Sequence, residues 1–139
     1  MRKITLLYLF LFFLFLLYSS FVFANWTRCY DPNTEVTVQG KITFFDPYHR
    51  GGPQRFWLQV DDKRILVFLA PWWFLEKKKI TFKVGDEVEV VGCKFYNDAG
   101  QICLIARKVV DLTTQKTYIF RHPNGTPCWR GKRHQRPYQ

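Results

Sequence analysis

Two stretches decide how this chain folds: Thr34-Glu35-Val36-Thr37-Val38-Gln39-Gly40-Lys41-Ile42-Thr43-Phe44-Phe45-Asp46 and Gly85-Asp86-Glu87-Val88-Glu89-Val90-Val91-Gly92. In the first, Val36, Val38, Gly40, Ile42 and Phe44 fall on one side, with Gln39, Lys41 and Thr43 on the other. A period of two marks a half-buried strand. Gly40 in its middle predicts a bulge or sharp bend, which a strand shared by both halves of a barrel requires. In the second stretch a Gly-Asp turn leads into Val88 and Val90 alternating with Glu87 and Glu89, the opening of a strand from Glu87 to Tyr96.

Between these stretches, Asp46-Pro47-Tyr48-His49-Arg50-Gly51-Gly52-Pro53 has the composition of a loop. Gln54 to Asp61 gives a second strand, Asp61-Asp62-Lys63 a tight turn, and Arg64 to Ala70 a third, more continuously apolar strand. Pro71 to Lys79 changes character. Proline opens it, Trp72, Trp73, Phe74 and Leu75 follow, and lysines close it, which favours a short helix. Asn97-Asp98-Ala99-Gly100 is a hairpin turn, Gln101 to Asp111 a fifth strand, and Lys116 to Phe120 a further short one. Three strands, a helix and two strands follow the order of an all-β OB-fold, a five-stranded Greek-key barrel. An SH3-like barrel and an open meander are the rival arrangements of these strands.

The N-terminus belongs to another class of segment. Arg2 and Lys3 precede Leu6 to Tyr18, thirteen residues without a charge, and then Ser19, Ser20 and Phe21-Val22-Phe23-Ala24. A basic start, an apolar core and small residues before a cut make a signal peptide, with cleavage expected after Ala24. The other reading is an uncleaved anchor from Ile4 to Ala24, since about 20 apolar residues span a bilayer. Either way residues 25–120 form a barrel outside the cytoplasm, in the periplasm or secreted, and residues 121–139 a basic tail in which Trp129 packs back on the barrel.

The charge divides in the same way. The whole chain of 139 residues carries a net +10. Two of those charges are Arg2 and Lys3, and five are Arg121, Arg130, Lys132, Arg133 and Arg136 in a tail without an acid. The barrel therefore holds only +3, from 14 basic and 11 acidic side chains. OB barrels bind nucleic acid by stacking bases on aromatics over a positive groove. Phe56, Trp57 and Phe68 are available for stacking, with Arg50, Arg55 and Arg64 for phosphates. Export and a nearly balanced barrel both disfavour nucleic acid as the partner. An envelope protein or an anionic membrane surface suits the tail better.

Four cysteines in an exported chain read first as disulfides, with three pairings open. Cys93 and Cys103 sit at equal offsets from Asp98, so a symmetric hairpin would place them face to face, whereas a shift of one residue would separate them. Cys29 and Cys128 lie near the two ends of the domain. The favoured pairing is Cys93–Cys103 with Cys29–Cys128. His122, Cys128 and His134 recur every six residues, a spacing that matches no closed metal motif, so neither metal nor cofactor is expected. His49, alone in a glycine-rich loop, reads as solvated. No nucleophile with a positioned base is apparent, so the chain is read as a binding protein and not an enzyme.

Pro71-Trp72-Trp73-Phe74-Leu75, Gly85 to Gly92, Ile105-Ala106-Arg107 and Asn124-Gly125-Thr126-Pro127-Cys128-Trp129-Arg130-Gly131 occur in the order seen in the MamS/MamX domain family. The chain resembles that family over roughly residues 35–131. The resemblance implies an OB-like domain of the bacterial envelope and, more loosely, a link to redox or iron handling. Some members carry a C-x-x-C-H haem-attachment signature; this chain has none, so no covalent haem is expected. The expected function is a non-catalytic binding or assembly module, with an oligonucleotide- or polyanion-binding barrel as the alternative. Its expected binding residues are Tyr48, Arg50, Arg55, Trp57, Trp72, Trp73, Arg121 and Arg130.

Overall fold

The computed structural model describes residues 2–19, with side chains as far as Phe15, and residues 30–130. Arg2–Ser19 is a helix, α1, whose apolar side chains from Ile4 to Phe15 are exposed. Among the described residues no helix is long and apolar enough to cross a membrane. Residues 20–29, which contain the expected cleavage point and Cys29, and residues 131–139 lie outside the described part.

The barrel begins with a 3-10 turn at Pro32–Thr34, capped by the Asp31 carboxylate on the Asn33 N–H. Its strands are β1 (Glu35–Phe45), β2 (Arg55–Val60), β3 (Lys63–Phe68), β4 (Glu87–Tyr96), β5 (Ile102–Asp111) and β6 (Lys116–Ile119). Helix α2 (Trp72–Lys77) lies between β3 and β4. The pairing order is β3-β2-β1-β4-β5-β6, and a parallel contact of β3 with β5 at Leu66–Cys103 to Phe68–Ile105 closes five strands into a barrel. That is the OB order, so the rival arrangements are excluded.

β1 serves both halves, and Lys41 is paired with Gln59 of β2 and with Glu87 of β4. Gly40 permits this sharing, because a Cβ there would stand 2.3 Å from the Gln59 carbonyl oxygen. Alternation along β1 holds only as far as Ile42. A bulge between Ile42 and Phe44 turns Phe44 outward, leaving it 56% exposed, and sends Phe45 inward against Phe82. The expectation that Phe44 shares the inner face with Ile42 is therefore corrected. Two adjacent phenylalanines cannot both follow a period of two.

The core is formed by Ile42, Phe56, Leu58, Val67, Val88, Val90, Leu104, Val109 and Phe120, all fully buried. Phe56 thus belongs to the interior and is unavailable for stacking on a ligand. Phe74 and Leu75 of α2 plug one end, and the Phe74 ring lies 6.4 Å from Phe120 and 5.7 Å from Trp129. Trp72 and Trp73, on the other side of that helix, remain exposed.

The Cys93–Cys103 pairing is also corrected, while the expected Cys29–Cys128 pairing involves Cys29, which lies outside the described residues. Cys93, Cys103 and Cys128 are free thiols. The turn is longer than a symmetric reading assumes: Tyr96 pairs with Ile102, Gly100 takes a φ of +75°, and the Asn97 carbonyl side chain accepts the N–H groups of Ala99 and Gln101. Its centre is Ala99, one residue beyond Asp98. Cys93 consequently faces Ile105 and Cys103 faces Phe95, which makes the two thiols diagonal neighbours.

Candidate functional site

The outer face of β1, β2 and β3 carries a row set by register: Phe44 opposite Trp57, and Trp57 opposite Leu66. The row exists because the β1 bulge delivers Phe44 to this face. With Asp46 and His49 from the β1–β2 loop, and Arg55 from the start of β2, it lines a shallow cleft of about 190 Å³. Leu66, only 8% exposed, forms the floor.

The loop is fastened from below. Gln54 is 1% exposed, and its amide nitrogen donates to the His49 carbonyl at 2.6 Å. Its backbone N–H donates to Ala70 and its carbonyl accepts from Leu69. His49 is consequently half-buried and lines the cleft, which corrects its reading as a solvated residue. One Asp46 carboxylate oxygen accepts the Tyr48 N–H at 2.9 Å, which shapes the loop's first turn.

Two arginines lie over aromatic rings on and next to this face. The Arg64 guanidinium lies 4.7 Å from the centroid of Trp57, and that of Arg50 lies 4.3 Å from Trp72. Arg50 also donates to the Pro47 carbonyl at 3.0 Å. Among the described residues Arg50, Arg55 and Arg64 have no carboxylate within ion-pair reach; the ion pair present joins Arg107 to Glu35.

The structure thus brings Arg55 and Trp57 into one cleft and places Arg50 with Trp72 beside it. Tyr48 is 80% exposed on the same loop, outside the lining. Trp73 is exposed on α2 and meets the Phe74 ring edge-on. Residue reading missed Phe44 and Leu66, the two apolar walls. The doubled phenylalanine at 44–45 was the available signal for one. A strand with Ile65, Leu66 and Val67 all apolar was the signal for the other, since burial on both faces requires a cover.

Arg121 and Arg130 lie elsewhere, at the corner where the chain enters and leaves the barrel. The Arg121 guanidinium stands 5.5 Å from the Tyr30 ring and 5.1 Å from the Trp129 ring, and donates to the Gly125 carbonyl at 2.9 Å. Gly125, at φ +90°, has Tyr30 so close that a Cβ would come within 2.9 Å of its ring. The Tyr30 hydroxyl donates to Glu35, whose carboxylate also accepts two bonds from Arg107 at 2.8 and 2.9 Å. Burial and the Glu35 carboxylate together push the Tyr30 phenol far above its usual range. Arg121 is held below its ordinary value by burial.

The Arg107 bonds, then the Tyr30 bond, hold the Glu35 carboxyl below its usual value. A depressed carboxyl stabilises the fold above the unfolded-state pKa and loses that contribution as pH falls through the folded value. Glu35→Gln is expected to cost about 1–2 kcal/mol at neutral pH. The gap to the natural chain should close in acid, as read by urea midpoints measured across pH 2–7. A gap independent of pH would contradict the ion pair's role.

Burial raises the Cys103 and Cys128 thiols, which keeps both protonated near neutral pH and makes them poor nucleophiles. Among the described residues no three metal-ligating side chains converge, and His134 lies outside them. No curated protein matches the chain. A family model does match it, over residues 34–114, which run from the start of β1 past the end of β5 and stop short of the Tyr30–Arg121 corner's C-terminal half. The chain belongs to the MamS/MamX magnetosome protein family.

Proposed function

We propose that this protein is an exported, non-catalytic binding or assembly module of the bacterial cell envelope that grips a partner on the outer face of β1, β2 and β3. The observation that carries this reading is the cleft of Phe44, Trp57 and Leu66 under a loop fastened by Gln54. Its volume of about 190 Å³ is below the roughly 300–1,000 Å³ of small-molecule sites, so it suits one anchoring group of a larger partner. Its lining offers no hydroxyl or thiol, and its acid, Asp46, is engaged in the loop's turn. The signal-like sequence before residue 25 supports export. A context in redox or metal handling rests on the resemblance of its motifs to the family.

A polyanion-binding barrel is the second reading, favoured by Arg55 and Arg64, which lack carboxylate partners among the described residues. It requires binding that weakens steeply with salt.

A photo-crosslinking residue placed at Phe44 in the native host tests the first reading. The expected result is a discrete protein adduct that is absent when the same residue replaces Ile119, an exposed position on β6. Mass spectrometry of the mature chain should find Asn25 at its start. Identical labelling from both positions, or a cytosolic chain retaining Met1, would overturn the reading.

A further inference from the structure

We propose that the cleft's occupant is an acidic protein segment that seats one apolar side chain on Phe44, Trp57 and Leu66 and presents flanking carboxylates to Arg55 and Arg64. This rests on the reading above that the outer face of β1–β3 binds a macromolecule, and it names that partner's chemistry.

Charge is the first argument. Arg55 lines the cleft and Arg64 lies over its Trp57; both are exposed and have no carboxylate partner among the described residues. A guanidinium stacked on a ring keeps its in-plane N–H donors open, and their fork matches a carboxylate. The Arg64 guanidinium lies 4.7 Å over the centroid of the Trp57 ring, and among the described residues no carboxylate occupies its donors. Pairing an incoming carboxylate there also excludes water from the ring beneath it.

Ring access is the second argument, and it separates protein from nucleic acid. Stacking bases needs open aromatic faces. Here Arg64 covers Trp57, Arg50 covers Trp72, and Phe56 is fully buried, which leaves Phe44 as the open ring of the cleft, a platform for one side chain and not for successive bases. Asp46 also lines the cleft, and its charge opposes a phosphate backbone passing over it. An isolated carboxylate on a side chain can be aimed at the arginines and away from Asp46; a continuous run of phosphates cannot.

Size is the third. A cleft of about 190 Å³ with a floor of Leu66 admits one side chain, and the partner's remaining contacts must lie along the rim. Arg50, over Trp72, directly follows the cleft-lining His49 in the chain, so a second acidic residue in the segment has a place to go.

The full chain in mild detergent can be titrated into three dye-labelled probes, read by fluorescence anisotropy. One is a short peptide with a central phenylalanine among glutamates, the second has glutamine for every glutamate, and the third is an oligothymidylate of equal charge. The acidic peptide should bind, and the neutral one should bind about tenfold more weakly or worse, the worth of one charge-assisted hydrogen bond. The Arg55→Ala/Arg64→Ala double variant should lose binding to a similar degree. Its thermal unfolding should match the natural chain, since both side chains are exposed. Phe44→Ala should weaken both peptides together. Equal binding of the neutral peptide, or tighter binding of the oligothymidylate, would overturn the proposal. If no probe binds while crosslinking from Phe44 still captures a partner, this chemistry is wrong and the broader reading stands. If both fail, neither stands.

Discussion

Gly92→Ala is expected to cost about 3 kcal/mol or more, enough to leave a small barrel largely unfolded near physiological temperature. A Cβ at this position would stand 2.3 Å from the Ile105 carbonyl oxygen, 2.9 Å from its carbon and 3.1 Å from the Ala106 Cα. All three are backbone atoms of the neighbouring strand and cannot rotate away. The position is also where the β4–β5 register slips, between Val91 and Gly92, so the strands approach closely to absorb an unpaired residue. Relief would require separating the two strands that share the longest pairing in the barrel. Gly51→Ala is the control, because a Cβ there meets only the His49 ring, at 3.7 Å. Guanidinium midpoints of the two variants should differ clearly. A Gly92→Ala midpoint close to that of Gly51→Ala would show that the bulge relaxes freely.

The second large effect is expected at the barrel's plug. Phe74→Ala should lose about 3–5 kcal/mol, the usual range for emptying a buried aromatic site. Phe74 is 4% exposed and touches the Phe120 ring, the Trp129 ring and its neighbour Trp73. Removing it opens the end of the barrel and also withdraws the surface on which Trp129 rests. Loss of stability should therefore come with a red shift in tryptophan emission and faster trypsin cleavage at Arg121 and Arg130, both before global unfolding. Phe74→Leu should cost much less. A cost under about 1.5 kcal/mol for the alanine variant would mean that α2 lies on the barrel without closing it.

Much of the fold could be read from residues because the barrel obeys local rules. Alternation in β1 and β4, the Gly-Asp turn at 85–86 and the proline-opened helix at Pro71 each act within a few positions. The failures share one cause. The bulge that ejects Phe44 is imposed by pairing with Trp57 across the sheet, and the offset of Cys93 from Cys103 by a loop centred on Ala99. Both depend on register, which is a relation between strands. The candidate site inherited that limit. Arg55 and Trp57 were recognisable from composition, whereas the walls at Phe44 and Leu66 exist only once register is fixed. The position of Arg64 on Trp57, and the release of His49 from solvent by Gln54, are likewise tertiary facts.

The corner formed by Tyr30, Arg121, Gly125 and Trp129 has a mechanical consequence. Because the chain enters and leaves the barrel side by side there, tension between its two ends meets that corner first. The Arg121 guanidinium over the Tyr30 and Trp129 rings, and the Glu35–Arg107 pair, are the contacts that such a load reaches before the strand ladders behind them. The cleft, fastened through Gln54 to β2 and the end of β3, lies off that line of force. A pull on the module's attachment would frays its corner before it disturbs its grip.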